Sequence, residues 1–170
     1  MKQNNYKKII CWAFFSASIN YCSSVHALKS DADQPVYIDS NAATYDDNTG
    51  VSIYTGNVVS TQGSLKVWSD KLVVYFKNGD VDKLVATGKP ARFQQTPDNG
   101  GDITGKALTG EYYPKQNLLI LIKEAVVWQE GNTYASDIIR YDSKNSIVKA
   151  GEQESDAKRV RVILKPKSNK

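Results

Sequence analysis

Val51-Ser-Ile-Tyr-Thr-Gly-Asn-Val-Val-Ser-Thr-Gln-Gly63 reads as a strand, a tight corner, a second strand and a second corner. Val51 and Ile53 alternate with Ser52 and Tyr54, the period of two that gives a strand two different faces. Gly56-Asn57 tolerates positive φ, so the chain can turn or bulge there. Val58, Val59 and Thr61 resume strand-favouring chemistry, and Gln62-Gly63 ends it.

The same grammar extends to both sides. From Gln34 onward no stretch carries a helical period, and turn residues recur at Asn48-Thr-Gly50, Gly63, Asn78-Gly79, Gly88, Asp98-Asn-Gly-Gly101, Gly131-Asn132 and Gly151. Between them lie short runs rich in Val, Ile, Tyr and Thr, about sixteen in all, from 36–39 to 159–164. Many short strands separated by turn signals predict an all-β sandwich, barrel or stacked sheet. A weak repeat underlies the pattern. Gly56-Asn57-Val58-Val59 aligns with Gly88-Lys89-Pro90-Ala91 and with Lys123-Glu124-Ala125-Val126, at offsets of 32 and 35 residues. Ser69-Asp70-Lys71-Leu72 aligns with Ser136-Asp137-Ile138-Ile139, with Ala107-Leu108-Thr109 between them. Stacked units of this kind bury a common apolar seam.

The first 27 residues stand apart from this pattern. Lys2, Lys7 and Lys8 precede an apolar run over 9–19, and Val25-His26-Ala27 puts small residues before a cleavage point. Residues 1–27 therefore read as an export signal cut after Ala27. The apolar run is too short to span a bilayer, which takes about 20 residues, and Tyr21 before Cys22 argues against lipidation. An uncleaved anchor is the alternative. Residues 28–165 form the expected domain and 166–170 a basic tail. Cys11, Cys22 and His26 all leave with the leader, which removes thiol nucleophiles, disulfides, imidazole catalysis and Cys- or His-ligated metals. Without the leader's three lysines the chain holds 19 basic and 18 acidic residues, a net charge of +1. A nucleic-acid partner is excluded on the same ground, since it demands a concentrated basic footprint. Asp46-Asp47 is the one adjacent acid pair, and neighbouring strand residues face opposite ways, so a solvated turn is expected there and not a catalytic dyad.

The strand faces divide the apolar residues. Leu65 and Val67 oppose Lys66 and Trp68, Ala91 and Phe93 oppose Arg92 and Gln94, and Val126 and Trp128 oppose Ala125 and Val127. Leu118–Ile122 is apolar on both faces. Most of these residues must form a core. If the seam stays open along one side, the remainder would line an apolar groove suited to acyl chains, each buried CH₂ contributing about 0.8 kcal/mol. Val36, Tyr37 and Ile38 at the start, and Val160, Val162 and Leu164 at the end, read as edge strands with free backbone groups. Joined head to tail, such edges extend a sheet and do not close a dimer.

Asp33-Gln-Pro-Val-Tyr-Ile-Asp-Ser40, Tyr54-Thr-Gly-Asn-Val-Val-Ser-Thr-Gln-Gly63, Ser69-Asp-Lys-Leu-Val-Val74, Gly88-Lys-Pro-Ala-Arg-Phe93 and Lys158-Arg-Val-Arg-Val-Ile-Leu-Lys-Pro166 resemble the periplasmic lipopolysaccharide transport protein A family of Gram-negative bacteria. Ala107-Leu108-Thr109 and Lys123-Glu124 depart from the family's usual turn residues. The resemblance implies an open, twisted β-jelly-roll of about sixteen short antiparallel strands, V-shaped in section, with no enzyme activity, no cofactor and no metal. It implies a periplasmic bridge that carries lipopolysaccharide with lipid A inside. The partners it implies are an inner-membrane-anchored protein of the same fold, the periplasmic domain of the outer-membrane translocon, and further copies of the chain joined head to tail. Under this resemblance Val36 and Ile38 line the N-terminal mouth, and Phe93 and Tyr112 touch acyl chains. Val51, Ile53, Leu65, Val67, Leu108, Val126 and Trp128 complete the expected lipid-lining set. The strand around Val160, Val162 and Leu164 would pair with the next copy or the translocon. An inner-membrane-anchored member of the same fold and a structural periplasmic adaptor are the alternatives.

Overall fold

A computed structural model of the chain describes residues 31–96, 101–152 and 159–166. The expected leader, its cleavage point and the end of the basic tail lie outside the described residues. Ten antiparallel strands form one sheet: β1 (Val36–Asp39), β2 (Ala42–Asp46), β3 (Val51–Gln62), β4 (Leu65–Lys77), β5 (Asp80–Gln95), β6 (Ile103–Tyr113), β7 (Leu118–Gln129), β8 (Asn132–Asp142), β9 (Ile147–Ala150) and β10 (Arg161–Ile163). The sheet runs β1-β3-β4-β5-β6-β7-β8-β10, with β2 on β3 and β9 on β8, so it is open and not closed. Single 3₁₀ turns at Asp31–Asp33 and Pro114–Gln116 are the only helical pieces among the described residues.

The expected sixteen segments become ten strands because the corners are bulges and not breaks. Register shifts fall between Thr55 and Val58, Trp68 and Lys71, Thr87 and Ala91, Lys106 and Thr109, and Ile122 and Ala125. These bulges are aligned, since Thr55, Lys71, Thr87, Thr109 and Ile122 pair with one another in turn across five strands. A bulge bends its strand and raises the local twist. Aligned bulges therefore fold the whole sheet along one line into two leaves. Gly56 and Asn57 sit at φ 80° and 47°, and the aligned Lys123 and Glu124 sit at 64° and 54°. Pro90 falls in the β5 bulge, where its missing N–H costs no ladder bond.

One leaf holds 51–55, 71–77, 80–87, 109–113, 118–122 and 138–142, flanked by β2 and β9. The other holds 58–62, 65–69, 91–95, 103–106, 125–129 and 132–136, flanked by β1 and β10. Both contribute to a single core, with Leu72, Val74, Leu84, Leu119, Leu121, Ile139 and Tyr141 from the first and Val58, Leu65, Phe93, Ile103 and Val127 from the second. Phe93 lies across Gly105, its cross-strand partner, where any side chain would run into the Phe93 ring and the Val126 carbonyl.

Candidate functional site

The space between the leaves is the site. Following the register across the first leaf, Tyr54, Leu72, Ala86, Gly110, Leu121, Ile139 and Ala150 form one inward row. Ser52, Val74, Leu84, Tyr112, Leu119, Tyr141 and Val148 form a second. Opposite them the second leaf presents Ile38, Ser60, Val67, Phe93, Gly105, Val127, Tyr134 and Val162. The rows run perpendicular to the strands, from the β1/β2 end to the β9/β10 end. An apolar lane thus traverses the sheet and reaches both of its edges.

Midway along the lane the leaves are packed. Leu65, Val67, Leu72, Leu84, Phe93, Tyr112, Leu119 and Leu121 line a partly open cavity of about 40 Å³. That is room for about one or two waters and not for an acyl chain. Near the N-terminal end the leaves part into a groove of about 800 Å³ whose walls are Val36, Ile38, Tyr54, Val74, Phe76 and Val81. Its rim carries Asp80, Lys115 and Lys144. Lys115 Nζ lies 2.9 Å from the Asp80 carboxylate, an exposed pair of the kind that contributes at most about 1 kcal/mol. A competing anion can therefore displace Asp80 at little cost.

The Asp31–Asp33 turn clasps this end. The Asp31 carboxylate accepts from the Ser64 N–H at 2.8 Å, the Ser64 hydroxyl at 2.6 Å and the Gln95 amide at 2.7 Å. Gln62 Nε2 adds a bond of 3.0 Å to the Gln34 carbonyl. Burial, and secondarily the Asp31 charge, push the Tyr112 phenol up to about 12. Replacing Asp31 removes three bonds to a charged acceptor, each worth about 1.5–3 kcal/mol before the freed donors regain water. Asp31→Ala is expected to lower stability by about 2 kcal/mol net. It should also speed amide exchange at Ser64 and in β1 while the β6–β8 amides stay protected, which hydrogen-exchange mass spectrometry reads directly.

Of the residues expected to line a lipid path, Val36, Ile38, Leu65, Val67, Phe93 and Tyr112 sit along the lane. It does not bring Val51, Ile53, Val126 or Trp128 there. Val51 and Ile53 lie on the outer face, and Ser52 and Tyr54 take the inner positions. Val126 and Trp128 are likewise outside, Trp128 being 40 % exposed, while Ala125 and Val127 are buried. Leu108 is unpaired within its bulge and only half-buried, and Ala107 fills the core position. Sequence reasoning missed the polar lining Ser52, Ser60, Gln62 and Gln95, all buried. The two-residue turn Gly63-Ser64 holds the missing signal: it pairs Gln62 with Leu65 and Ser60 with Val67, so all four must share a face.

The sheet ends come in pairs. β1 and β2 border β3 at one end, and β9 and β10 border β8 at the other, with no further strand on them among the described residues. Within β10, Arg161, Val162 and Ile163 pair with β8, and Val160 and Leu164 flank them. Val162 and Leu164 are 46 % and 69 % exposed. Tyr37 on β1 and Tyr45 on β2 are exposed at the opposite end. Each leaf therefore offers one free edge per end, two more than the sequence indicated.

The sequence profile described as LptA/(LptD N-terminal domain) LPS transport protein matches residues 37–147. The lipopolysaccharide export system protein LptH of Pseudomonas aeruginosa is 38 % identical over 148 residues, covering 83 % of this chain and 85 % of that protein. The lipopolysaccharide export system protein LptA of Escherichia coli K12 is 34 % identical over 142 residues, covering 82 % and 76 %. The crystal structure of Pseudomonas aeruginosa LptH, described as the LptA homologous periplasmic component of the conserved lipopolysaccharide transport device, matches with a TM-score of 0.72 at 35 % identity. That match covers 81 % of this chain and 99 % of the LptH chain.

Proposed function

Because the chain belongs to the LptA/LptD N-terminal-domain family of lipopolysaccharide transport proteins, we propose that it carries lipopolysaccharide through the periplasm as a bridge between the inner-membrane complex and the outer-membrane translocon. The observation that carries this reading is the apolar lane that crosses the sheet and reaches both edges. Acyl chains lie between the leaves, where each buried CH₂ contributes about 0.8 kcal/mol. The phosphorylated sugars stay on the open side of the V, within reach of Lys115 and Lys144. No bond is made or broken in this passage, so the work is that of a conduit and not of an enzyme. The leader 1–27 delivers the chain to the periplasm.

Free edges supply the joints. β1 and β2 take the inner-membrane-anchored protein of the same fold, and β9 and β10 take the next copy or the translocon, each by adding backbone ladders to both leaves at once. Such joints keep the apolar rows in line from one protein to the next.

Photocrosslinking in cells tests the path. A photoreactive residue at Ile38 or Phe93 is expected to form lipopolysaccharide adducts, and one at Ile53 or Val126 is not. Adducts at the outer pair, or none at the inner pair, would refute passage between the leaves.

A further inference from the structure

The outer face of the second leaf carries chemistry that transport through the lane leaves unused. Trp68, Arg92, Lys106 and Val126 form one outward row by register, and Arg161 extends it through Ala135. Two residues along the strands, Lys66, Gln94, Thr104 and Trp128 form the next row. Lys66, Arg92, Lys106 and Arg161 are exposed, and none of them is ion-paired among the described residues. Trp68 and Trp128 stand roughly 16 Å apart on strand spacings of about 4.8 Å and a rise of about 3.4 Å per residue. Lys66 Nζ lies over the Trp68 ring at 5.2 Å, and Lys106 Nζ over the Trp128 ring at 6.0 Å.

One pair in this patch works against the fold. Arg92 and Lys106 are direct cross-strand partners. Like charges opposite one another destabilise a sheet, and an acid at either position would remove the repulsion. A surface concavity of about 510 Å³ beside them is bounded by Asn57, Trp68, Asp70, Pro90 and Arg92. A second, of about 400 Å³, takes in Lys106, Arg159 and Arg161, with Glu124 and Asp137 at its border. An anion lying between Arg92 and Lys106 would relieve their repulsion. Indoles whose faces, not their edges, meet a mobile lysine suit the flat face of a sugar ring. A bilayer is the competing surface, and the vesicle arm of the test below separates it from a glycan.

We propose that this face docks a carboxylate-bearing glycan strand of the cell envelope, with sugar rings stacked on Trp68 and Trp128 and carboxylates between Arg92, Lys106 and Arg161. Of the proposed function, this inference takes only the periplasmic location and is independent of the lane. Co-sedimentation of the purified protein with peptidoglycan sacculi tests it. The wild type is expected to pellet with sacculi in low salt and to be released at high salt, and Trp128→Ala to weaken binding roughly tenfold. Arg92→Glu separates binding from folding, since it sets opposite charges across from Lys106: its melting temperature should rise while sacculus binding is lost. Ile53→Ala, on the other leaf, should bind like the wild type. Failure of the wild type to pellet, equal pelleting of Trp128→Ala and Arg92→Glu, or preferential binding to phosphatidylglycerol vesicles over sacculi would each overturn the proposal. Lipopolysaccharide binding measured in the same variants should be unchanged, so a failure here is distinguishable from a failure of the transport reading.

Discussion

Phe93→Asp is expected to abolish the cooperative melting transition, and Ile53→Asp to leave it within about 1 kcal/mol of the wild type. The two residues are both large and apolar, and both sit in mid-strand. Their surroundings differ. Phe93 is 3 % exposed, spans Gly105 and joins the core shared by both leaves. Truncating such a ring costs about 3–5 kcal/mol, and an unpaired buried carboxylate adds several more. Set against a total stability of about 5–15 kcal/mol, that sum exceeds or exhausts it. Ile53 is 36 % exposed, on the outer face between Thr44 and Val73, where a carboxylate keeps its water. Urea or thermal denaturation of the two variants decides the matter. Equal destabilisation would mean that the leaves do not enclose the core in the way the register implies. The contrast also warns that loss of transport in Phe93→Asp cells would report an unfolded protein before it reported a blocked lane.

The class of fold was legible in Val51–Gly63 and its echoes, because positive-φ residues at Gly56-Asn57 and Lys123-Glu124 mark the line where the sheet bends. Continuity across that line was not legible. A turn and a bulge call for the same residues, and only the ladder on the neighbouring strands tells them apart. The inner face was legible where alternation was apolar against charged, as at Leu65 and Val67 against Lys66. It was misread in β3, where Val51 and Ile53 look like core and Ser52 is the buried residue. It was misread again in β7, where the stretch is apolar on both sides and the largest residue, Trp128, packs beneath Lys106 on the outside. Under the proposed transport role, whose occupant must leave again, the usual rule of apolar inside and polar outside loses force. Part of the lining can be small or polar, as Ser52, Ser60 and Gln62 are, and part of the outer surface apolar. The free edges were legible at β1 and β10 from their place at the chain ends, whereas β2 and β9 become edges only once the sheet has folded into leaves.

Leu121→Ala is expected to lower the stability of the protein and to raise its affinity for lipopolysaccharide. Leu121 is 3 % exposed and borders the 40 Å³ cavity midway along the lane. Its truncation should cost about 2–5 kcal/mol of stability. Acyl chains cannot enter that part of the lane while the leaves are packed, so the measured affinity is the intrinsic one reduced by the fraction of molecules whose leaves have parted. Truncation removes contacts that exist only in the packed state, and it therefore raises that fraction. Every 1.4 kcal/mol taken from the cost of opening tightens the apparent dissociation constant about tenfold, until the open state is fully populated. A preformed lane would behave in the opposite way, because Leu121 would then be a contact for the lipid and its loss would weaken binding by the transfer energy of the missing methylenes, about 0.8 kcal/mol each. Titration of the wild type and Leu121→Ala with lipopolysaccharide, beside their denaturation curves, separates the two cases by the sign of the change in affinity. Tighter binding by a less stable protein would mean that the packed leaves act as a gate, which the incoming lipid opens and which closes behind it once the acyl chains have moved on.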